Sequence, residues 1–253
     1  MGHEGDLNGA RKYYLNASNK NLTYLLGNRF NWMKKFINDN SNGIELGAGI
    51  GASKDFIQSP KFLISDFNES EWLDYKNVDA LHTDFENASF DYIVASNLIH
   101  HLAKPSDFFS ECARILKPSG LILIQEINSS LAMRLILRVM RHEGYDETTN
   151  VLDPDQICNN PEDLWSANCS IPKLLFKKHN IFENHFPEYE VILDKKTEFL
   201  IFINSGGVIA KTKYIPLPII VLKLINIVDR FIIALFPRIF PLQRQIVLRK
   251  KND

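Results

Sequence analysis

The 253-residue chain has few cysteines, and none stand close together. Cys112, Cys158 and Cys169 are its only three. Their spacing gives neither a paired metal-ligand motif nor a disulfide framework, which fits a reducing cytosol. It has no excess of either charge: 29 Lys and Arg stand against 30 Asp and Glu, a formal net charge of −1. Bulk electrostatics therefore give no reason to expect a nucleic-acid partner. No internal repeat is found, and residues 1–20 are too polar for a secretory signal peptide. What is present is an ordinary apolar fraction of 45%, in a chain long enough for one α/β domain with a sizeable core.

The organising stretch is Gly43-Ile44-Glu45-Leu46-Gly47-Ala48-Gly49-Ile50-Gly51-Ala52. It reads as a buried strand entering a glycine loop, with a helix over 53–57. Glycines at alternate positions let backbone approach a ligand closely. A strand, glycine loop and helix is how α/β folds hold nucleotide-like ligands at the carboxyl edge of the sheet. The spacing also fits a dinucleotide fingerprint. Glu45, two residues before the first glycine, suits a cationic ligand better than a pyrophosphate.

Further strands are predicted at 62–66, 90–95, 121–125, 189–193, 198–203 and 245–248. With the first they make a seven-stranded, mostly parallel, doubly wound α/β sheet. Helices are predicted over 21–41, where Leu22, Leu25, Leu26, Phe30, Met33, Phe36 and Ile37 recur at helical spacing, and over 105–117 and 129–141. Residues before about 20 read as a loose arm. Asp66, at the end of the second strand, is placed to accept hydrogen bonds from ribose hydroxyls. Asp79 and Asp84 compete as the acid beside an adenine ring. Ser96-Asn97-Leu98-Ile99-His100-His101 leaves the 90–95 strand at the same edge.

The glycine motif, the Phe90-Asp91 strand, the Asn97-Leu98-Ile99-His100-His101 exit and the Leu116-Lys117-Pro118-Ser119-Gly120 turn stand in one order. Together they resemble the type 11 group of class I S-adenosylmethionine (SAM) methyltransferases over about residues 42–126. The resemblance implies a Rossmann-like fold and SAM as cofactor. It implies cofactor contacts at Glu45, Gly47, Ala48, Gly49, Gly51, Asp66, Phe67, Asp79, Ala80 and Asn97. Counting back from Phe90-Asp91 along the family pattern favours Asp79 over Asp84, although Asp84 stands where the family usually has proline. Ser119 departs from a second glycine common in the family.

The rest is organised as a leading cap helix (21–41), a SAM-binding core (42–126), a substrate-side segment (127–188) and an apolar helical insertion (204–241) before the last strand. His142-Glu143 and Asn168-Cys169-Ser170-Ile171-Pro172 resemble a subset of these methyltransferases from bacterial surface-polysaccharide clusters. That narrower resemblance implies substrate-side residues at His142, Glu143 and Asn168, and a glycan or lipid-linked saccharide as acceptor.

Within the insertion, 218–236 is strongly apolar, but Lys223, Asn226, Asp229 and Arg230 form a narrow polar stripe. Spanning a bilayer needs about 20 apolar residues with few charges. Three arrangements stay open: a peripheral membrane contact through 216–241, a homodimer contact, or a lid on the chain's own domain. The expected location is the cytoplasm, at the inner face of the membrane if this helix meets lipid.

Methyl transfer to oxygen benefits from a general base, worth about 10²–10⁴-fold. His101, His100 and His142 are the candidates, with Glu143 as an orienting carboxylate. No metal is expected from their spacing. Two other readings share the loop: a catalytically silent SAM-fold module that recruits lipid or protein, and an NAD-dependent oxidoreductase. Glu45 and the lack of a Tyr-x-x-x-Lys spacing argue against the last.

Overall fold

The computed structural model describes residues 6–16, 19–140, 143–208 and 212–252. Short apolar runs form the strands β1 (Gly43–Leu46), β2 (Phe62–Ser65), β3 (Phe90–Ser96), β4 (Leu116–Ile127), β5 (Tyr189–Thr197) and β6 (Gln243–Lys250). They assemble in the order β2-β1-β3-β4-β6-β5. The first four are mutually parallel, and β6 lies antiparallel to both β4 and β5. β5 thus runs in the same sense as β1–β4, and all five carboxyl ends meet at one edge.

Helices cover both faces: α1 (Leu7–Leu15), α2 (Lys20–Phe30), α3 (Ser53–Phe56), α4 (Pro105–Ile115), α5 (Leu131–Met140), α6 (Ile171–Leu175), α7 (His179–His185), α8 (Leu200–Ile203) and α9 (Ile219–Leu235). Side chains alternate across the sheet. Ile93, Ile122, Ile124, Ile246 and Leu248 join one core with residues of α4, α6 and α7. Val94, Leu123 and Val247 join a second with residues of α1 and α2. Continuous apolar strands are what a sheet covered on both faces requires. Each fully buried aliphatic or aromatic side chain contributes about 1.5–3 kcal/mol.

Four expectations are corrected. The sheet has six strands, because residues 198–203 turn away from it. Glu198 sits at φ +58°, and the Asp229 carboxylate accepts from the amides of Phe199 (3.1 Å), Leu200 (2.9 Å) and Ile201 (3.1 Å). Those three bonds cap the single turn α8 and remove its amides from any strand pairing. The arm before residue 20 contains α1, capped by Asp6 through the Gly9 amide at 2.8 Å. The helix expected over 21–41 divides into α2 and a 3-10 turn at Met33–Phe36. The helix expected over 105–117 stops at Ile115, where Leu116 already pairs with Phe90.

α9 matches the helix expected in the insertion, but its orientation is the reverse of the usual one. Leu222, Asp229 and Ile233 are its buried residues, while Ile220, Leu224, Ile227 and Phe231 are 58–68% exposed. Among the described residues no helix is long and apolar enough to cross a membrane.

Candidate functional site

The glycine loop leaves β1 with three left-handed residues, Gly47 (φ +71°), Gly49 (φ +53°) and Gly51 (φ +67°). Gly47 also has no room for a side chain: an added Cβ would lie 2.6 Å from Leu98 Cδ1. At Gly49 the nearest atom to such a Cβ is Leu7 Cδ2 at 3.9 Å, an ordinary contact, so the backbone there can be approached closely. Asp66 lies against this loop, its Oδ2 accepting from the Gly49 amide at 2.7 Å and its Oδ1 from Asn68 Nδ2 at 2.6 Å. The Asn68 amide adds a bond to Oδ1 at 3.1 Å, so of a carboxylate's about four acceptor positions one remains for a ligand hydroxyl. The Val78 amide donates to the Asp66 carbonyl at 3.0 Å, which brings Asp79 and Ala80 beside the end of β2. Asp79 Oδ1 accepts from the Leu81 amide at 2.9 Å. Ala80 is buried, Phe67 is half exposed, and Asp84 is exposed.

Glu45 lies deeper than a ligand-gripping residue would. It is 1% exposed and takes the Ser53 hydroxyl at the start of α3. It therefore sits beneath the loop instead of at its open side. Burial pushes its carboxyl up to about 8, with the Ser53 hydrogen bond opposing and the nearby Asp66 charge adding to the rise. That raised value leaves Glu45 protonated at pH 7, so the nearby Asp66 carboxylate supplies the negative charge that favours a cation here. A closely approachable backbone at Gly49, the half-buried Asp66 carboxylate and the uncharged Glu45 beneath the loop fit a SAM-like ligand.

α1 caps the loop from outside. The Arg11 guanidinium donates to the Ile50 carbonyl and lies 4.7 Å over the Trp72 ring. Trp72 Nε1 donates to the Gly49 carbonyl at 2.9 Å, and Tyr14 donates to Asp55 at 2.7 Å. Asn97, at φ +51°, follows β3 on the other side of the loop. Its Oδ1 accepts from Gln243 Nε2 at 3.1 Å, Gln243 Oε1 accepts from Gln125 at 3.1 Å, and Gln125 Oε1 accepts from Trp32 Nε1 at 3.2 Å.

The two adjacent histidines differ. His100, 3% exposed, has its Nδ1 2.7 Å from Glu126 Oε2, and its Nε2 3.9 Å from Glu143 Oε2. Glu126 is also pinned by the Ile99 amide at 2.6 Å and the Ile127 amide at 2.9 Å. Burial pulls the His100 imidazolium down, but the Glu126 charge and hydrogen bond, with Glu143 beyond, outweigh it and hold His100 above the ordinary histidine range. The His101 ring lies 4.2 Å from that of His100, centroid to centroid, tilted by 40°, with its Nδ1 3.2 Å from the Ser166 carbonyl. Burial and the neighbouring His100 charge push it down to about 4. The Cys169 thiol donates to Glu143 Oε2 at 2.9 Å. Donor atoms of His100, His101 and Glu143 all lie within 4.8 Å of one another.

Beside His101 lies an open cavity of about 560 Å³, lined by Asp146, Asn159, Asn160, Ser166 and Asn168 among others. Asn168 also ties its walls together. Its Oδ1 accepts from the Asp146 amide at 2.9 Å, its Nδ2 donates to the Asp146 carbonyl at 3.0 Å, and its amide donates to the His100 carbonyl at 2.9 Å. His142 lies outside the described residues. Three residues of this region escaped sequence reasoning: Glu126, Ser166 and Arg11. Glu126 closing a strand that starts from a Pro-Ser-Gly turn was the one visible signal.

The fold and part of the sequence have known counterparts. Residues 46–124 match the family model described as a methyltransferase domain. The chain is 29% identical to a ubiquinone biosynthesis O-methyltransferase from Roseobacter denitrificans, over 34% of this chain and 37% of that one. It is 32% identical to the highly reducing polyketide synthase resH from Aspergillus sclerotiorum, over 33% of this chain and only 4% of that one. The chain thus spans well under half the length of these curated relatives. A SAM dependent methyltransferase from Archaeoglobus fulgidus has the same fold, with a TM-score of 0.54 at 15% identity, covering 90% of this chain and 94% of that one.

Proposed function

We propose that this chain, which carries a methyltransferase domain of the class I SAM-dependent type, methylates an oxygen: a sugar hydroxyl on a glycan or lipid-linked saccharide of surface-polysaccharide synthesis. The observation that carries this reading is the mixed polar and apolar cavity beside His101, at the same sheet edge as the glycine loop. Its Asp, Asn and Ser lining suits a hydroxyl-rich acceptor. Two curated relatives, the one above and another from Caulobacter vibrioides, are named O-methyltransferases, which agrees with oxygen as the acceptor atom.

When bound, SAM supplies a methyl carbon activated by positive sulfur. The chain's residues hold, align and deprotonate. Asp66 and the closely approachable backbone of the glycine loop hold the nucleoside, Asp79 lies toward the base, and the Asp66 charge favours the positive sulfur. Alignment of reactants can supply about 7–11 kcal/mol of a barrier. His101 is the proton acceptor. A carbonyl can only accept, so its contact with Ser166 puts the ring proton on Nδ1 and leaves the Nε2 lone pair free. Its lowered basicity keeps the ring neutral at pH 7. His100, anchored by Glu126, supports the His101 ring, and Glu143 completes the anionic surround.

His101→Ala is the direct test. Turnover should fall about 10²-fold or more while affinity for S-adenosylhomocysteine stays unchanged. Equal loss of both would make His101 structural. The acceptor class is tested by mass spectrometry of surface glycans from cells lacking this protein, which should lose the mass of a CH₂ unit per acceptor sugar. Unchanged glycans would remove the saccharide from the reading.

A further inference from the structure

α9 turns its apolar side outward, and the cause is visible. Asp229 is 1% exposed because its carboxylate caps the three amides of α8. Leu222 packs with Leu25 and Ile201 in a small separate core. These contacts fix the helix's rotation. With Asp229 inward, positions half a turn away must face out, and there stand Ile220, Leu224, Ile227, Phe231 and Leu235, each 57% or more exposed. At about 1.5 Å per residue the helix is about 25 Å long. A helix closing as a lid would bury these residues; here α9 packs on its own domain through Leu222, Asp229 and Ile233 and leaves them outside. Contiguous exposed apolar surface on this scale marks an interaction site.

The charge around the helix is one-sided. Asp229 is the only acid between residues 212 and 252, and it is occupied inside. Lys223 and Arg230 flank the exposed apolar arc, and Arg238 follows the helix. On the adjoining β5, Lys195 and Lys196 are held below the ordinary lysine range, by burial first and then by cations that include Arg230, Lys35, Arg244 and Arg238. The neighbouring α5 adds exposed Leu131, Leu135 and Val139, and its first amides bond to the carbonyls of Arg238 and Ile239.

We infer that α9 is a docking face for the surface of an anionic phospholipid bilayer, lying in its plane with the apolar arc sunk among the acyl chains. Interfacial helices of this kind combine an apolar face buried about 5–10 Å with basic flanks. A second copy fits less well. A twofold contact through this face would bring two cationic surfaces together, with Asp229 as the one acid between residues 212 and 252 and it occupied inside, whereas anionic headgroups supply the missing charge. The position also has a use. β5 delivers the chain into α8 at its carboxyl end, the edge that carries the glycine loop and His101. Docking through α9 brings that edge toward the membrane, where a lipid-carried acceptor would be. The docking rests on this surface alone and does not depend on the reaction proposed above.

The test is flotation of the full chain with vesicles of phosphatidylcholine alone and of phosphatidylcholine mixed with phosphatidylglycerol. Binding should require the anionic lipid and weaken as salt rises. Phe231→Glu and Ile227→Glu, at exposed positions, should abolish flotation with the melting temperature and S-adenosylhomocysteine affinity unchanged. Arg230→Glu should weaken binding at least fivefold, since each surface cation is worth about that factor. Failure to float on mixed vesicles would overturn the proposal. So would a dimer by sedimentation that Phe231→Glu splits, in a protein that ignores lipid. Because S-adenosylhomocysteine binding is read separately, loss of the docking claim leaves the cofactor reading standing, and the reverse also holds.

Discussion

His100 Nδ1 lies 2.7 Å from Glu126 Oε2, a buried imidazole held by a buried carboxylate across two neighbouring strand ends. The partner's two amide contacts fix the carboxylate in turn, so His100 has one orientation and a stabilised charge.

Glu126→Gln keeps the shape and removes that charge. The His100 imidazolium should lose its support and titrate lower, because burial then acts with only Glu143 opposing it. Nuclear magnetic resonance of the imidazole protons should show this downward shift. Turnover should fall by up to about 10²-fold, no more than the low end of what a general base contributes, with cofactor affinity retained. An unmoved His100 titration would show that Glu126 does not govern it.

His101 sets the acid side of the pH profile. With its basicity pushed down to about 4, the ring is available as a base throughout the neutral range. The logarithm of kcat/KM should stay level as pH falls through 6.5 and drop only near 4. A limb near 6.5 would assign the base to a histidine in an ordinary setting.

Glu45 makes stability depend on pH. Its carboxyl titrates at about 8 when folded and near 4.5 when exposed. Between those values the folded chain holds a proton that the unfolded chain has released, so stability falls as pH rises from about 4.5 to 8. Glu45→Gln removes this dependence. The variant should gain in melting temperature relative to the parent at pH 8.5, and gain little at pH 5. Equal differences at both values would mean that Glu45 is already ionised in the fold.

The Arg29–Glu198 pair, 2.8 Å apart with side chains 5% and 4% exposed, fastens α2 to the turn that leaves β5. Glu198→Gln leaves the guanidinium buried without its counter-charge, which should cost about 3–5 kcal/mol in urea unfolding. Replacing both, as Arg29→Met with Glu198→Leu, should recover most of that loss. A loss below about 1 kcal/mol in the single variant would mean water reaches Arg29.

How far the sequence reveals this depends on the range of each interaction. The glycine loop, β1–β3 and α5 rest on local patterns, and they lie where periodicity and glycine spacing put them; α4 and β4 do too, except that residues 116–120 join the strand instead of ending the helix in a turn. Phe199-Leu200-Ile201-Phe202-Ile203 does not, because a short apolar run suits strand and helix equally. The decision falls to Asp229, 28–30 residues further on. The same carboxylate explains α9: helical spacing showed two faces, and the ordinary rule would bury the apolar one. α1 was hidden among polar residues, since its attachment runs through Arg11 and Tyr14 to the loop and to α3. Glu126 was visible only as an acid near a strand end, and its pairing was not, because its histidine lies 26 residues earlier.

The claim beneath all of this is that Asp66 and the glycine loop form a site for a sulfonium nucleoside. Calorimetric titration of the folded chain with S-adenosylhomocysteine tests it most directly. Saturable one-to-one binding, weakened about tenfold or more by Asp66→Asn as a charged hydrogen-bond acceptor is lost, is the predicted result. No heat of binding from a protein that still melts cooperatively would contradict it.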